Sequence, residues 1–157
     1  MSPDLDEFGS PFYLLLGTQD CWKCGNSCRV AGLASDEPAE ESDDEQYEPF
    51  TLNNIQAMPD EFLAAILRIQ PAYEKRASKM AGISYFVNVC PCGAFFGDHY
   101  LFAEPGGAFF PMDDDGAAQI EVYKLPYKGT YEFTCSAGLG TGRSILEHGK
   151  RQRFPES

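Results

Sequence analysis

Basic residues are scarce in this chain of 157 residues, where 12 Lys and Arg stand against 24 Asp and Glu, for a formal net charge of -12. A field of that sign repels phosphate backbones and anionic lipid and attracts basic surfaces, which argues against nucleic acid as a direct ligand. The one local exception, Arg143, Lys150, Arg151 and Arg153, reads as ordinary solvation. Long apolar runs are missing too. No stretch approaches the roughly 18 apolar residues that a membrane span needs, so no membrane partner is expected. The segment Ser2-Pro3-Asp4-Leu5-Asp6-Glu7 lacks the cationic start and apolar run of a secretory signal, and the expected compartment is the cytoplasm.

Catalytic and nucleotide-binding signatures are thin as well. His99 and His148 are the only histidines, and without a recognisable nucleophile they make a poor case for hydrolysis. Gly138-Leu139-Gly140-Thr141-Gly142-Arg143-Ser144 lacks the Gly-Lys-Ser/Thr ending of a phosphate loop and reads as a turn. Asp113-Asp114-Asp115-Gly116 has no Glu at the closing position of a calcium loop.

What is present builds an ordinary core: 43% hydrophobic and 13% aromatic residues in a length that suits one domain, residues 1–157. Six cysteines in a chain without an export signal read as thiols or metal ligands rather than as a disulfide framework. Four of them fall in two similar settings. Pro11 to Leu16 is an apolar strand leading to the turn Cys21-Trp22-Lys23-Cys24-Gly25, and Cys28 to Leu33 returns. Ser84 to Val89 is aromatic and β-branched, Cys90-Pro91-Cys92-Gly93 turns, and Ala94 to Ala103 is the expected return strand. Each half is a hairpin whose tip carries two cysteines followed by glycine, the residue that lets the chain turn back at positive φ. Two such tips facing one another are the plan of a zinc ribbon.

Between the halves, eight acidic residues and no basic one lie between Asp36 and Glu48, and without this block the net charge is only -4. Such a block self-repels and has little to bury, so a flexible acidic loop is expected at 34–50. Met58-Pro59-Asp60-Glu61 then starts a helix, with Phe62, Ile66 and Ile69 as its apolar stripe, Leu63 and Leu67 beside them, and an end at Gln70 before Pro71. A second helix is expected from Ala72 to Met80. Strands are expected at Gln119 to Leu125 and Thr130 to Cys135, and a short helix near Ser144 to His148. The class is α+β, a mainly antiparallel sheet with two knuckle hairpins forming a zinc ribbon and one or two helices inserted between them.

Tetrahedral zinc takes four soft ligands at about 2.3 Å, and a tight turn lets two thiolates of one loop reach one ion. Cys21, Cys24, Cys90 and Cys92 are the expected ligands of a single Zn2+. The second pair is one residue tighter than the usual knuckle, and Cys28 or His99 is the nearest substitute. Cys28 and Cys135 otherwise read as small buried hydrophobes. A thioredoxin-like redox pair would precede a helix in a βαβ setting, whereas this Cys-x-x-Cys sits in a hairpin.

Ser84-Tyr85-Phe86-Val87-Asn88-Val89-Cys90-Pro91-Cys92-Gly93-Ala94, followed by Gly97-Asp98-His99-Tyr100-Leu101 and Glu104-Pro105-Gly106-Gly107-Ala108-Phe109-Phe110-Pro111, resembles a group of poorly characterised bacterial zinc-ribbon-like proteins. They pair an early Cys-Trp-Lys-Cys with a later Asn-x-Cys-Pro-x-Cys-Gly, and the chain departs from them in lacking a residue between Pro91 and Cys92. The resemblance spans roughly residues 12–33 and 72–112 and implies metal binding but no reaction.

Small size, acidity, a metal-stapled scaffold and no assembled active site point to a non-enzymatic protein-binding module, of the inhibitor or immunity type, that neutralises a basic bacterial toxin such as a nuclease. Asp113, Asp114 and Asp115 are its expected contacts, with Phe109 and Phe110 as the apolar anchor; the alternative places those rings in the core. A transcriptional zinc ribbon using Lys23 and Arg29 is a second expectation, and a metal-dependent or thiol enzyme using His99 or Cys135 a third.

Overall fold

The computed structural model describes residues 5–36, 49–78, 82–97, 101–102, 107–138 and 142–154. In chain order its first elements are β1 (Leu5–Gly9), β2 (Phe12–Asp20), β3 (Ser27–Ser35), β4 (Phe50–Ala57), α1 (Asp60–Ile69), β5 (Tyr73–Ser78) and β6 (Ile83–Val89). Then come β7 (Phe95–Phe96), α2 (Asp114–Ala117), β8 (Glu121–Lys124), β9 (Thr130–Gly138), α3 (Gly142–His148) and β10 (Lys150–Gln152). The acidic loop expected at 34–50 gives up its ends to β3 and β4, and its residues 37–48 lie outside the described residues.

Phe12 to Leu16 is apolar at every position because β2 is covered on both faces, the situation that calls for a continuous apolar strand. Phe12, Leu14 and Leu16 enter one core while Tyr13 and Leu15 enter another, following the period of two that a strand imposes. A seven-stranded sheet carries β2 in the order β1-β9-β4-β3-β2-β8-β10. Its pairings are antiparallel except for β8 with β10, which is parallel. A second, three-stranded antiparallel sheet runs β5-β6-β7. The α+β class with mainly antiparallel strands is therefore as expected.

On one face of the large sheet α1 supplies the cover. Pro59 opens it in an extended conformation, Asp60 and Glu61 occupy its first turn, and Gln70 ends it by donating its backbone N–H to Ile66 O. Acids at the positive end of the dipole are favourable, and proline cannot obstruct a position whose N–H needs no partner. Phe62, Ala65 and Ile66 are its buried residues, while Leu67 is exposed. The Phe62 ring lies 4.8 Å from Phe12 and 5.0 Å from Phe133, both edge to face, the offset that the ring quadrupoles prefer.

The opposite face carries Tyr13, Leu15, Val30, Phe102, Phe109, Val122 and Ile145 together with Cys21, Cys28 and Cys90. The small sheet reaches this region through a break in the large one. β3 and β4 pair only over residues 33–35, and β4 shifts register between Asn53 and Ala57, with Asn54 in the left-handed region at φ 51°. The backbone of β3 so released is taken up by side chains: Asn88 of β6 accepts from the Ala31 N–H at 2.8 Å and donates to the Ala31 carbonyl at 3.0 Å. Gln70 donates to the Arg29 carbonyl. Two amides thus do the work of a neighbouring strand, which satisfies backbone groups that would be costly to bury unpaired.

The helix expected from Ala72 to Met80 is instead β5, paired residue for residue with β6 from Tyr73 against Asn88 to Ser78 against Ile83. Ala, Glu, Lys and Arg favour helix as isolated residues, but that preference is a weak prior which pairing overrides. Tyr73 is buried while Glu74 and Lys75 are exposed, so a helix would have offered no apolar stripe. The return strand expected from Ala94 to Ala103 is limited, among the described residues, to Phe95–Phe96. The strand pair and short helix expected in the C-terminal third are present as β8, β9 and α3, although β8 and β9 join different neighbours rather than each other.

Candidate metal centre

Cys21 follows the last residue of β2, and the chain must reverse within six residues to enter β3. It does so by two hydrogen bonds: Cys21 N–H donates to Asn26 O at 2.8 Å, and Gly25 N–H donates to Cys21 O at 2.9 Å. Gly25 sits at φ +80°, a conformation that glycine adopts without a steric penalty. The tip between β6 and β7 is built the same way with one residue fewer. Cys90 N–H donates to Ala94 O at 2.8 Å, Gly93 N–H donates to Cys90 O at 2.8 Å, and Gly93 has φ +98°. The missing residue shortens the turn without removing either its closing bond or its glycine.

Both tips bring their sulfurs to one place. Cys24 Sγ lies 3.5 Å from Cys90 Sγ and Cys21 Sγ lies 3.7 Å from Cys92 Sγ, and the four sulfurs all fall within 4.8 Å of one another. Four ligands at about 2.3 Å from a tetrahedral ion stand roughly 3.8 Å apart along each edge. The cluster is thus close enough to hold a metal ion, and Cys92 reaches it despite the tighter spacing. Cys28 is not one of the four; its thiol points to Asn26 O at 3.7 Å. His99 lies outside the described residues.

Burial divides the ligands by their place in the turn. The first cysteine of each tip, Cys21 or Cys90, is buried, and the second, Cys24 or Cys92, is exposed. Trp22 crosses from one tip to the other, its indole N–H donating to Phe95 O at 3.0 Å while the ring remains 62% exposed. Sequence reading did not find this link, because an exposed tryptophan in a turn carries no signal of its partner.

Electrostatics in the cluster are those of thiols crowded together. The Cys24 amide, helped by that of Lys23, holds Cys21 down at about 6 despite the opposing effect of burial. For Cys24 the Asn26 amide favours the thiolate, but burial and the hydrogen bonds with Cys90, Cys21 and Cys92 outweigh it, and the group is pushed up to about 11. For Cys90 the Cys92 amide is likewise outweighed by burial and the thiols of Cys28 and Cys92, again reaching about 11. One thiol ionises readily and others keep their protons, since several thiolates cannot share so small a volume uncompensated. A divalent cation reverses that balance and lets all four lose their protons. No family model, curated protein or solved structure matches this chain.

Of the residues expected to meet a partner, the fold withdraws Phe109 and leaves the others at the surface. Phe109 is fully buried, with its ring 4.9 Å from that of Phe102, so it is a core residue and not an exposed anchor. The alternative assignment holds for it because the chain folds the ring under β2 and β3, where glycine leaves room: a Cβ at Gly17 or Gly32 would meet it at 3.4 Å. Phe110 is half-buried and lines an open cleft with Thr18, Met112 and Gln119. Asp113 caps α2 by accepting from Gly116 N–H at 2.8 Å, and Asp114 lies 3.3 Å from His148 Nε2 on α3. Asp115 is exposed, and so is Met112, at 69%. Among the cations proposed near the tips, Arg29 is paired with Glu121 at 2.5 Å. Cys135 is buried in the aromatic core. Among the described residues no helix is long and apolar enough to cross a membrane.

Proposed function

We propose that Cys21, Cys24, Cys90 and Cys92 bind one structural zinc ion and that the protein is a non-enzymatic, zinc-ribbon-type binding module. The observation that carries this reading is the convergence of four sulfurs from two turns of matching construction. Four thiolates complete a tetrahedron, whereas catalytic zinc sites keep a position for water or substrate. All-sulfur coordination favours zinc or iron and disfavours magnesium and calcium. Colourless protein with about one zinc per chain is expected, and a chelator should lower the melting temperature and expose the thiols to a thiol reagent. Metal-free protein whose melting temperature a chelator leaves unchanged would end this reading.

Within that class, the acidic surface suits an inhibitor or immunity-type role against a basic partner such as a nuclease toxin, because carboxylates can occupy a cationic groove built for phosphate. With Phe109 in the core, the apolar contact proposed for this role is Phe110 with the exposed Met112, beside Asp114 and Asp115. The nucleic-acid reading loses support from Arg29, whose charge already faces Glu121, and the thiol-enzyme reading from the burial of Cys135. Co-expression with candidate basic effectors tests the role: a co-purifying complex or relieved toxicity is expected, and neither appearing would leave only a zinc-stabilised module.

A further inference from the structure

We infer that the four-sulfur cluster is also an oxidative modification site, at which a hydroperoxide converts the metal ligands into two disulfides that join the two tips, Cys24 to Cys90 and Cys21 to Cys92, and releases the metal. The inference rests on the zinc reading above for the released ion, but the pairing of the sulfurs rests on the fold alone.

Each tip offers one exposed cysteine, Cys24 or Cys92, to an oxidant arriving from solvent. Each has a buried sulfur of the other tip within short reach, Cys90 at 3.5 Å from Cys24 and Cys21 at 3.7 Å from Cys92. Sulfur–sulfur bonds of about 2.05 Å therefore need movements of only about 1.5 Å, within the reach of side-chain rotation. Pairing within the shorter tip is disfavoured. Cys90 and Cys92 are separated by Pro91 alone, and a disulfide between them would close a small ring through the turn that Gly93 and Cys90 already fix. If those two do not join, complete oxidation leaves each of them only Cys21 or Cys24, or the neighbouring Cys28 in the case of Cys90.

The chemistry balances with one hydroperoxide for each disulfide. The exposed thiolate attacks the peroxide, its S–O bond forms as O–O breaks, and the displaced oxygen leaves as water or alcohol after taking a proton. The buried thiolate then attacks that sulfur, S–S forms, S–O breaks, and hydroxide leaves as water with a second proton. Two electrons pass from the sulfurs to the peroxide, and the metal loses two ligands at each step. The tips stay joined throughout, because the bonds replacing the metal link positions 66 and 71 residues apart. Loss of metal by oxidation thus differs from loss by chelation: it leaves the scaffold tied, and thiol reductants restore the ligands.

The experiment treats the full chain, reduced and with its metal content measured, with hydrogen peroxide. Metal release is followed with a chromogenic chelator and the disulfides are mapped by non-reducing peptide mass spectrometry. The expected result is loss of one equivalent of zinc together with the linked pairs 24–90 and 21–92, with a melting temperature above that of reduced, chelator-treated protein. Pairs 21–24 or 28–90 as the main products, or zinc fully retained when every exposed thiol of unfolded control protein is oxidised, would overturn the inference. Cys28→Ser should leave the map unchanged. Were the reduced protein found free of metal, the zinc reading would fail by itself, and the same map on the metal-free chain would still decide the pairing.

Discussion

The two faces of the large sheet solve the same problem with different chemistry. Adjacent residues of β2 serve both: Leu14 enters the core under α1, and Leu15 enters the one beside the cysteine tips. On the first face a helix and interlocking rings close the core, Phe62 meeting Phe12, Tyr127, Tyr131 and Phe133 at centroid distances from 4.8 to 5.0 Å. On the second, the cover comes from the β6–β7 turn with Phe96, from Phe102 and Phe109 and from the short helix α3, and the four sulfurs of the tips gather beside it. Apolar area can stabilise the first face by itself, at about 25 cal/mol per Å² buried. The second has less regular structure to lay on the sheet, and the metal cross-link proposed above would be an efficient substitute, since it would act at one point and tolerate irregular chain around it.

The largest expected effect breaks the comparison on the sulfur side. Cys21→Ser or Cys90→Ser removes a buried cysteine of the proposed zinc site, and structural zinc in small peptides contributes on the order of 10 kcal/mol, comparable with the whole stability of a domain. Either variant should lose the metal and unfold or aggregate on expression, checked by metal analysis and circular dichroism. A variant that keeps both its metal and its melting temperature would show that the second face closes without the ion.

Phe62→Ala attacks the other face. Truncating a fully buried phenylalanine costs about 3–5 kcal/mol through lost transfer energy and the cavity left behind. Chemical denaturation should show that loss while zinc remains at one per chain, because the cysteine tips lie across the sheet from the cavity. Trp22 is the single tryptophan and bonds across the tips, so its fluorescence reports the second face separately. If Phe62→Ala also released the metal under native conditions, the two faces would be one cooperative unit and the distinction between them would vanish.

This division explains which parts of the architecture were legible in the sequence. The cysteine tips could be read because their signals are local: two thiols, a glycine and flanking apolar runs all lie within a few residues. Helix α1 was legible for the same reason, its proline, acids and apolar stripe being contiguous. β5 was misread because its pairing with β6 is what makes it a strand, and the residues that form the pair are not visible in Tyr73–Ser78 themselves. The amide bridge from Asn88 to Ala31, 57 residues away, gives no local sign at all. Phe109 and Phe110 show the limit at single-residue scale, for two identical adjacent side chains take a buried and a half-buried position. Only the path of the chain decides which is which.

The smallest expected effect on stability falls where neither face is involved. Asp114 and Asp115 are exposed, and replacing both with Lys should change folding stability by no more than about 0.5 kcal/mol apiece, the usual range for surface positions. Asp113 is left intact in this variant because its carboxylate caps α2, and its loss would mix a folding effect of about 1 kcal/mol into the result. Against a basic effector the double reversal should act mainly on encounter: association slows and its dependence on salt weakens, because two attractive charges have become repulsive. Met112→Ala should instead speed dissociation, since an apolar contact at the centre of an interface holds the complex once formed. Surface plasmon resonance at two ionic strengths separates the two rates. Unchanged association for the charge variant, with zinc content and melting temperature at wild-type values, would place the partner on another surface, and the cysteine tips with the exposed ring of Trp22 would be the next surface to test.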